Sequence, residues 1–223
     1  MDPLAGSAWS EPGTVAGFSR SAPNARLIDY ARQVHGARTA SARLLDLGCG
    51  AGRNAVPLAA MGWNVIGLDL SWPMLQAASG RDANGRLHVL QAPMDRLPIR
   101  SRSADFIVAQ GIWNLARSGN EFRSAVAEAA RVARPGAALF VFTFSRHTLP
   151  PEVAPVAGET FVFTQFSGAP QCFLTEPQLV GELEAAGFAP DPLLPLRELN
   201  RPEPGSLRTA GGPVIYEGGF RLK

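Results

Sequence analysis

The chain has 223 residues, of which 46% are hydrophobic and 18% charged, and its formal net charge is +2 at pH 7. This composition supports a folded domain with a full apolar core and excludes a disordered chain. The basic residues form no stripe with interleaved aromatic residues, so we expect no nucleic-acid partner.

Targeting and metal signals are also missing from the sequence. No apolar run approaches the roughly 20 residues of a membrane span, and residues 1–20 lack the pattern of a secretory signal. We therefore expect a cytoplasmic protein that does not bind membranes, as a monomer or a homodimer. Two cysteines, Cys49 and Cys172, make no disulfide framework, and without a C-x-x-C pair we expect no metal site. The predominance of arginine over lysine favours a bacterial origin.

The N-terminal half predicts strands that alternate with helices. Residues 1–22 are rich in Gly, Pro and Ser and are expected to form a flexible arm before a single domain over 23–223. Alternating apolar strands and amphipathic helices indicate a parallel sheet covered on both faces. The predicted strands are 43–47, 64–68, 87–91, 105–109 and 137–144, and the predicted helices are 23–34, 53–61, a segment capped by Ser71, and 121–133.

The pattern changes after residue 144. Residues 145–172 hold many prolines and glycines among aromatic residues, with one alternating stretch at 161–166. Long loops in compact domains are often functional, so we interpret this segment as a possible substrate lid. A helix over 175–186 with Thr175 as its cap, and two last strands over 193–199 and 213–221, complete the prediction.

The most informative motif is the turn after the first strand. The segment L-D-L-G-C-G-A-G-R places Asp46 before Gly48, Gly50 and Gly52. Seventeen residues after Gly52 (69 − 52), a second apolar run ends in Asp69. An acidic residue there can accept hydrogen bonds from ribose hydroxyls, as in dinucleotide-binding folds. The two segments together indicate a cofactor that contains a nucleoside.

The turn differs from the dinucleotide fingerprint. Arg53 stands where that fingerprint requires its third glycine, and Asp46 would oppose a pyrophosphate. A carboxylate at position 46 suits a ligand with an ammonium or sulfonium group. The segment resembles motif I of the class I, Rossmann-like methyltransferases that use S-adenosylmethionine (SAM), of the small-molecule kind (type 11 or 25). The segment G-L-D-L-S-W-P-M-L at 67–75 resembles their next motif, and the likeness covers 43–144.

The resemblance implies an α/β fold with a seven-stranded, mostly parallel sheet, helices on both faces and an antiparallel last strand. It also implies transfer of a methyl group from SAM to a small-molecule acceptor, with S-adenosylhomocysteine as the product. Asp46 would position the SAM amino group, Asp69 would bind the ribose, and Leu70 would pack on adenine. The backbone of Met94 would meet the adenine ring, and Asp95 either replaces an acidic residue of the family or is solvated. The cofactor-site candidates are Asp46, Gly48, Cys49, Gly50, Gly52, Asp69, Leu70, Met94, Asp95 and Gln110.

The residues leave the catalytic group and the acceptor open. Candidates for a general base are His147, just past the fifth strand, and Tyr216 in the last strand, although a thiolate or amine acceptor needs none. Trp113 and Phe166 line an acceptor pocket or simply pack. A non-catalytic regulator or scaffold that binds SAM or its product is an alternative, and a nicotinamide-dependent oxidoreductase is another.

Overall fold

The computed structural model describes residues 3–4, 6–36, 42–202 and 212–223, and an eight-stranded sheet forms its centre. The strand order is β3-β2-β1-β4-β5-β10-β8, with β9 also paired to β10. The strands are β1 (Arg43–Leu47), β2 (Asn64–Asp69), β3 (Leu87–Gln91), β4 (Ala104–Gln110), β5 (Ala133–Phe144), β6 (Val162–Phe163), β7 (Gln171–Cys172), β8 (Phe188–Pro190), β9 (Arg197–Leu199) and β10 (Ile215–Leu222). The helices are α1 (Pro12–Arg20), α2 (Ala25–Gly36), α3 (Ala55–Ala60), α4 (Trp72–Ser79), α5 (Gly119–Val132) and α6 (Glu176–Ala185).

The sheet confirms the predicted fold class and corrects its strand count. Strands β1 to β5 pair in parallel, and β10 runs antiparallel to β5, β8 and β9. The expectation of seven strands is wrong, because the sequence prediction omits β8 (Phe188–Pro190), and β9 occupies only the last part of the strand expected over 193–199. Pro192 and Pro195 separate them, and proline has no backbone N–H to give to a ladder.

Helices cover both faces of the sheet, as predicted. One apolar cluster joins α2, α3 and α4 to one face, and a second joins α5 and α6 to the other. The central strand β4 is buried on both sides, with Phe106, Ile107 and Val108 inaccessible to solvent. This packing holds the carboxyl ends of β1, β4 and β5 at one rigid edge.

Two predicted helix caps are confirmed. The Ser71 hydroxyl accepts a hydrogen bond from the N–H of Met74 at the start of α4. Thr175 and Gln178 form a reciprocal capping box at the start of α6. Such caps satisfy backbone N–H groups that a helix leaves unpaired at its first turn.

The N-terminal segment differs from the expected arm over 1–22. Residues Pro12–Arg20 form α1, which packs against α4, so the prediction of a segment without regular structure is wrong there. The Ser71 hydroxyl donates to the carbonyl of Trp9, and the rings of Trp9 and Phe18 pack 5.9 Å apart. Pro12 suits the first turn of a helix, a signal that the high Gly and Pro content concealed.

The segment 145–172 is folded onto the domain. Its β6 and β7 form a two-stranded antiparallel sheet, shorter than the stretch expected at 161–166. Leu149, Phe163 and Phe173 make a small apolar cluster beneath it. The Arg146 guanidinium donates to four backbone carbonyls between Leu149 and Val153, which fixes the path of the chain after β5.

None of the helices that the structure describes is long and apolar enough to cross a membrane.

Candidate functional site

The turn after β1 is closely packed on one side and open on the other. Gly52 has φ +77°, and a Cβ added there would lie 2.9 Å from Val56 and 3.0 Å from Ala78. Only glycine fits such a site, because it tolerates positive φ and has no Cβ to clash. A Cβ added to Gly50 would come no closer than 3.9 Å to a neighbour, so this part of the turn is open to a ligand.

Gly48, which is also predicted for this site, begins the turn. It has φ +67°, and an added Cβ would lie 2.7 Å from the Ile112 side chain, which follows β4. The missing side chain therefore lets the turn approach the end of the neighbouring strand.

Asp46 is a buried carboxylate with an unused hydrogen-bond acceptor. The residue is 1% exposed, and its Oδ2 has no hydrogen-bond partner among the residues that the structure describes. Burial, together with the charge of Asp69, raises the pKa of this carboxyl to about 7, against the opposing effect of Arg53. Buried acceptors are normally satisfied, so Asp46 is suited to a cationic or hydrogen-bond-donating ligand.

Asp69 ties the end of β2 to the glycine turn. Its Oδ2 accepts the N–H of Gly50 at 2.9 Å, and its Oδ1 accepts the N–H of Ser71 at 2.9 Å. A carboxylate has about four lone-pair sites in all, so it can accept several hydrogen bonds at once. The carboxylate thus joins the two sequence motifs in one place, as the sequence predicts.

Cys49 lies in the turn, but its thiol packs away from it. A Cβ added to Gly67 in β2 would lie 2.8 Å from the Cys49 sulfur. Burial raises the pKa of this thiol well above its ordinary value, and the charges of Asp46 and Asp69 add to the effect. The side chain is therefore an inert packing group.

The three candidates for the adenine end are less constrained. Leu70 and Met94 are half-buried, and Asp95 is exposed. The Leu70 carbonyl accepts a hydrogen bond from Gln91 at 2.8 Å, which joins the ends of β2 and β3.

Gln110, at the end of β4, has its side-chain amide oriented by a relay of hydrogen bonds. The backbone N–H of Asn24 donates to Oδ1 of Asn54 at 3.0 Å, and Nδ2 of Asn54 donates to Oε1 of Gln110 at 2.9 Å. A backbone N–H can only donate, so the first bond fixes both amide orientations. Gln110 therefore has its NH₂ group left as a donor at the site. The sequence prediction missed Asn54 and Asn24, although Asn54 follows directly on the glycine motif.

The two predicted catalytic candidates, His147 and Tyr216, lie in one polar cluster. Glu198 of β9 brings them together: its Oε1 lies 2.6 Å from Nδ1 of His147, and Tyr216 pairs with Glu198 across β9 and β10. The Ser145 hydroxyl donates to the same carboxylate oxygen, and the Tyr216 hydroxyl interacts with Ser145 and Glu198. Burial raises the pKa of Tyr216, with the Ser145 hydrogen bond opposing it. The prediction missed Glu198 and Ser145, because no motif marks them.

A cleft of about 710 Å³ opens beside this cluster. Its volume is in the range typical of small-ligand sites. Trp113 is fully buried against Phe122, so it belongs to the core, whereas Phe166 is 46% exposed and packs edge-on against Phe144. The cleft is lined by Arg146, His147, Leu149, Pro151, Arg201 and Pro202.

Comparisons with known proteins agree with this architecture. Residues 45–141 match the family model of a methyltransferase domain. The chain is 30% identical over 165 residues to a ubiquinone/menaquinone biosynthesis C-methyltransferase of Syntrophotalea carbinolica, a match that covers 66% of this chain and 68% of that protein. It is 37% identical over 111 residues to a malonyl-[acyl-carrier protein] O-methyltransferase of Salmonella typhimurium, covering 49% and 41%.

Solved structures show the same fold. A Burkholderia thailandensis N1-methyltransferase, determined with 1,6-didemethyltoxoflavin and S-adenosylhomocysteine bound, superposes with a TM-score of 0.64 at 21% identity, covering 89% of this chain and 78% of that one. A parallel sheet with a glycine turn after β1 and an acidic residue at the end of β2 is typical of folds that bind a nucleoside cofactor, and the relatives specify the class. The chain belongs to the class I SAM-dependent methyltransferases.

The residues present at the edge fit this cofactor. SAM carries an ammonium group and a sulfonium centre, and the unpaired Oδ2 of Asp46 is a buried anionic acceptor beside the glycine turn. A nicotinamide dinucleotide would instead bring a pyrophosphate toward that carboxylate. Family membership thus decides against the oxidoreductase and for an enzyme over a non-catalytic scaffold.

Proposed function

We propose that the protein transfers the methyl group of SAM to a small-molecule acceptor in the cleft beside His147. SAM supplies an electrophilic methyl group on a sulfonium centre, and the acceptor attacks it in line. In this proposal the single domain spans 23–223, and segment 145–172 covers the acceptor. The proposed cofactor site consists of Asp46, Gly48, Cys49, Gly50, Gly52, Asp69, Leu70, Met94, Asp95 and Gln110.

The unpaired carboxylate of Asp46 is the observation that supports the proposal most. It would accept the ammonium group of the methionine part, while the turn at Gly48, Gly50 and Gly52 lets the backbone pass close. Asp69, which accepts the N–H groups of Gly50 and Ser71, would also accept the ribose hydroxyls. The donor NH₂ of Gln110 would meet the SAM carboxylate or a carbonyl of the acceptor.

The relatives and the cleft both support a small molecule as the methyl acceptor. Two of the relatives are named for quinone and malonyl acceptors, and the third protein for a toxoflavin precursor, so carbon, oxygen and nitrogen are all acceptor atoms among them. The cleft has apolar side chains at Leu149, Pro151 and Pro202. Much of the rate enhancement would come from holding donor and acceptor in line, which supplies about 7–11 kcal/mol in favourable cases.

His147 is the proposed general base, with Tyr216 as the second candidate. The imidazole is 45% exposed and lines the cleft, whereas Tyr216 is 2% exposed. His147 would therefore be able to contact an acceptor in the cleft, whereas Tyr216 would act indirectly, through its contacts with Ser145 and Glu198.

Transfer of a labelled methyl group tests the proposal. The wild-type protein is incubated with methyl-tritiated SAM and with separate metabolite, protein and RNA fractions of a bacterial extract. We expect label in the metabolite fraction, and none with Asp46→Asn, which removes the charge that holds the ammonium. Label in the protein or RNA fraction would contradict a small-molecule acceptor.

A further inference from the structure

Glu198 has a place in the site that no sequence motif indicates. Its carboxylate is 14% exposed, and one oxygen meets both the Ser145 hydroxyl and Nδ1 of His147. The backbone N–H of His147 donates to the Ser145 hydroxyl at 3.1 Å, so residues 145 and 147 are held on the same carboxylate. These contacts join a turn after β5 to β9, about fifty residues further along the chain (198 − 147).

The hydrogen bonds determine which imidazole nitrogen carries the proton. Burial by itself would raise the pKa of Glu198, but the hydrogen bonds from Ser145 and His147 outweigh it and lower the pKa. An ionised carboxylate only accepts, so Nδ1 of His147 must donate. In the neutral imidazole Nε2 then has the lone pair, and Nε2 makes no hydrogen bond to the residues that the structure describes.

Other charged groups around the imidazole are already engaged. Arg201 lies 3.3 Å from the second oxygen of Glu198, with its side chain 60% exposed. Arg146 donates to backbone carbonyls and lies 4.9 Å above the Phe163 ring. Tyr216 faces the cluster from β10, with its pKa raised. Both arginines also line the cleft.

We propose that Glu198 is a positioning residue that fixes His147 as a base, and that the acceptor is a phenolic or enolic hydroxyl. This inference rests on the proposed function. The acceptor oxygen bonds to the methyl carbon as the carbon–sulfur bond breaks with its electron pair left on sulfur. The hydroxyl proton moves to Nε2 of His147 and then to solvent.

The chemistry of acceptors favours this class. A phenol has an ordinary pKa of about 10, a few units above imidazole, so a positioned histidine can take its proton. A carboxylate or thiolate has lost its proton already and needs no base. An oriented imidazole beside a cleft that also has apolar side chains is therefore useful for a weakly acidic ring hydroxyl.

Ring nitrogen NMR tests the positioning without any acceptor. The protein has three histidines, so a His147→Gln variant identifies the His147 signals. We expect the wild-type ¹⁵N shifts to show the Nδ1–H tautomer, and Glu198→Gln to change them toward Nε2–H. The matched control Glu184→Gln alters an exposed carboxylate on α6 and should change nothing. A wild-type Nε2–H tautomer would overturn the proposal, even if the Glu198 variant failed to fold.

Turnover tests the acceptor class with phenols and with thiophenols and anilines of the same ring. We expect phenols to be methylated, Glu198→Gln to lower their kcat at least tenfold with the KM for SAM unchanged, and thiophenol rates to stay the same. Methylation of thiols or amines alone, or of nothing in the panel, would contradict the acceptor class. Absence of SAM binding would instead refute the proposed function, and the tautomer result would still stand by itself.

Discussion

The proposed cofactor half and the proposed acceptor half of the site are built in different ways. The cofactor half comes from β1, β2 and their turns, and its two carboxylates lie within 23 positions of each other (69 − 46). The acceptor half comes from the turn after β5, from β9 and from β10, so Ser145, Glu198 and Tyr216 meet only through the antiparallel edge of the sheet. A compact motif can specify a cofactor site, whereas an acceptor site assembled from distant strands has no local signature.

The largest expected effect comes from Asp46 in the cofactor half, because burial of its ionised carboxylate lowers the free energy of unfolding. Its pKa rises from 3.8 to about 7 on folding, which corresponds to about 4 kcal/mol at 1.36 kcal/mol per unit. The raised pKa means that the folded state binds the proton more tightly, so this cost is absent below pH 3.8 and grows as the pH rises to about 7. We expect Asp46→Asn to raise the free energy of unfolding at pH 8 by up to that amount.

Urea denaturation of ligand-free protein at pH 5 and pH 8 measures this effect. The gain from Asp46→Asn should be smaller at pH 5, and the exposed Asp29→Asn should show no such trend. A variant that is less stable than wild type at pH 8 would show that the carboxylate is already satisfied without a ligand.

Two glycine substitutions contrast the tight packing of the glycine turn with an open position on α6. Gly52→Ala places a Cβ 2.9 Å from Val56 at φ +77°, and overpacking with backbone strain should cost about 2–3 kcal/mol. Gly181 in α6 has no neighbour within 4 Å of an added Cβ, so Gly181→Ala should stabilise by about 0.5–1 kcal/mol. Thermal unfolding measures both, and equal effects would refute the tight packing of the glycine turn on α4.

The smallest expected effect concerns the relay through Asn54. Asn54→Ala removes the donor to Gln110 and the acceptor of the Asn24 N–H, and a lost hydrogen bond of this kind is worth about 1 kcal/mol. We expect roughly fivefold weaker SAM binding or slower turnover. Titration calorimetry and a turnover assay measure these changes, with the exposed Asn84→Ala as the control. Unchanged affinity and rate would show that Gln110 does not contribute to the site.

The sequence predicts the elements that obey local rules. β1 and β3 have the predicted bounds, Ser71 and Thr175 cap the helices as expected, and the turn at Gly48 to Gly52 meets Asp69. The sequence does not predict the bounds of the short strands β8 and β9, because prolines interrupt their apolar pattern. Helix α1 was not predicted, because it is stabilised by packing against α4, and composition alone does not reveal such tertiary contacts.

The polar cluster around Glu198 could not be predicted from the sequence. His147 and Tyr216 were chosen separately, for their positions after β5 and in the last strand. Nothing in the sequence indicates that Glu198 lies between them, because the pairing of β9 with β10 is set by strand register. Their roles in catalysis stay predictions, as do those of the cofactor-site residues.

The most direct test of the central claim is calorimetric titration of the protein with SAM. The ionised form of Asp46 should hold the ammonium group, so binding should tighten between pH 6 and pH 8 and should release a proton near pH 7. Buffers with different ionisation enthalpies report that proton, and NADH serves as the control ligand. The account predicts micromolar SAM binding with proton release that Asp46→Asn abolishes. SAM binding that is independent of pH and of this substitution, or tight NADH binding, would contradict it.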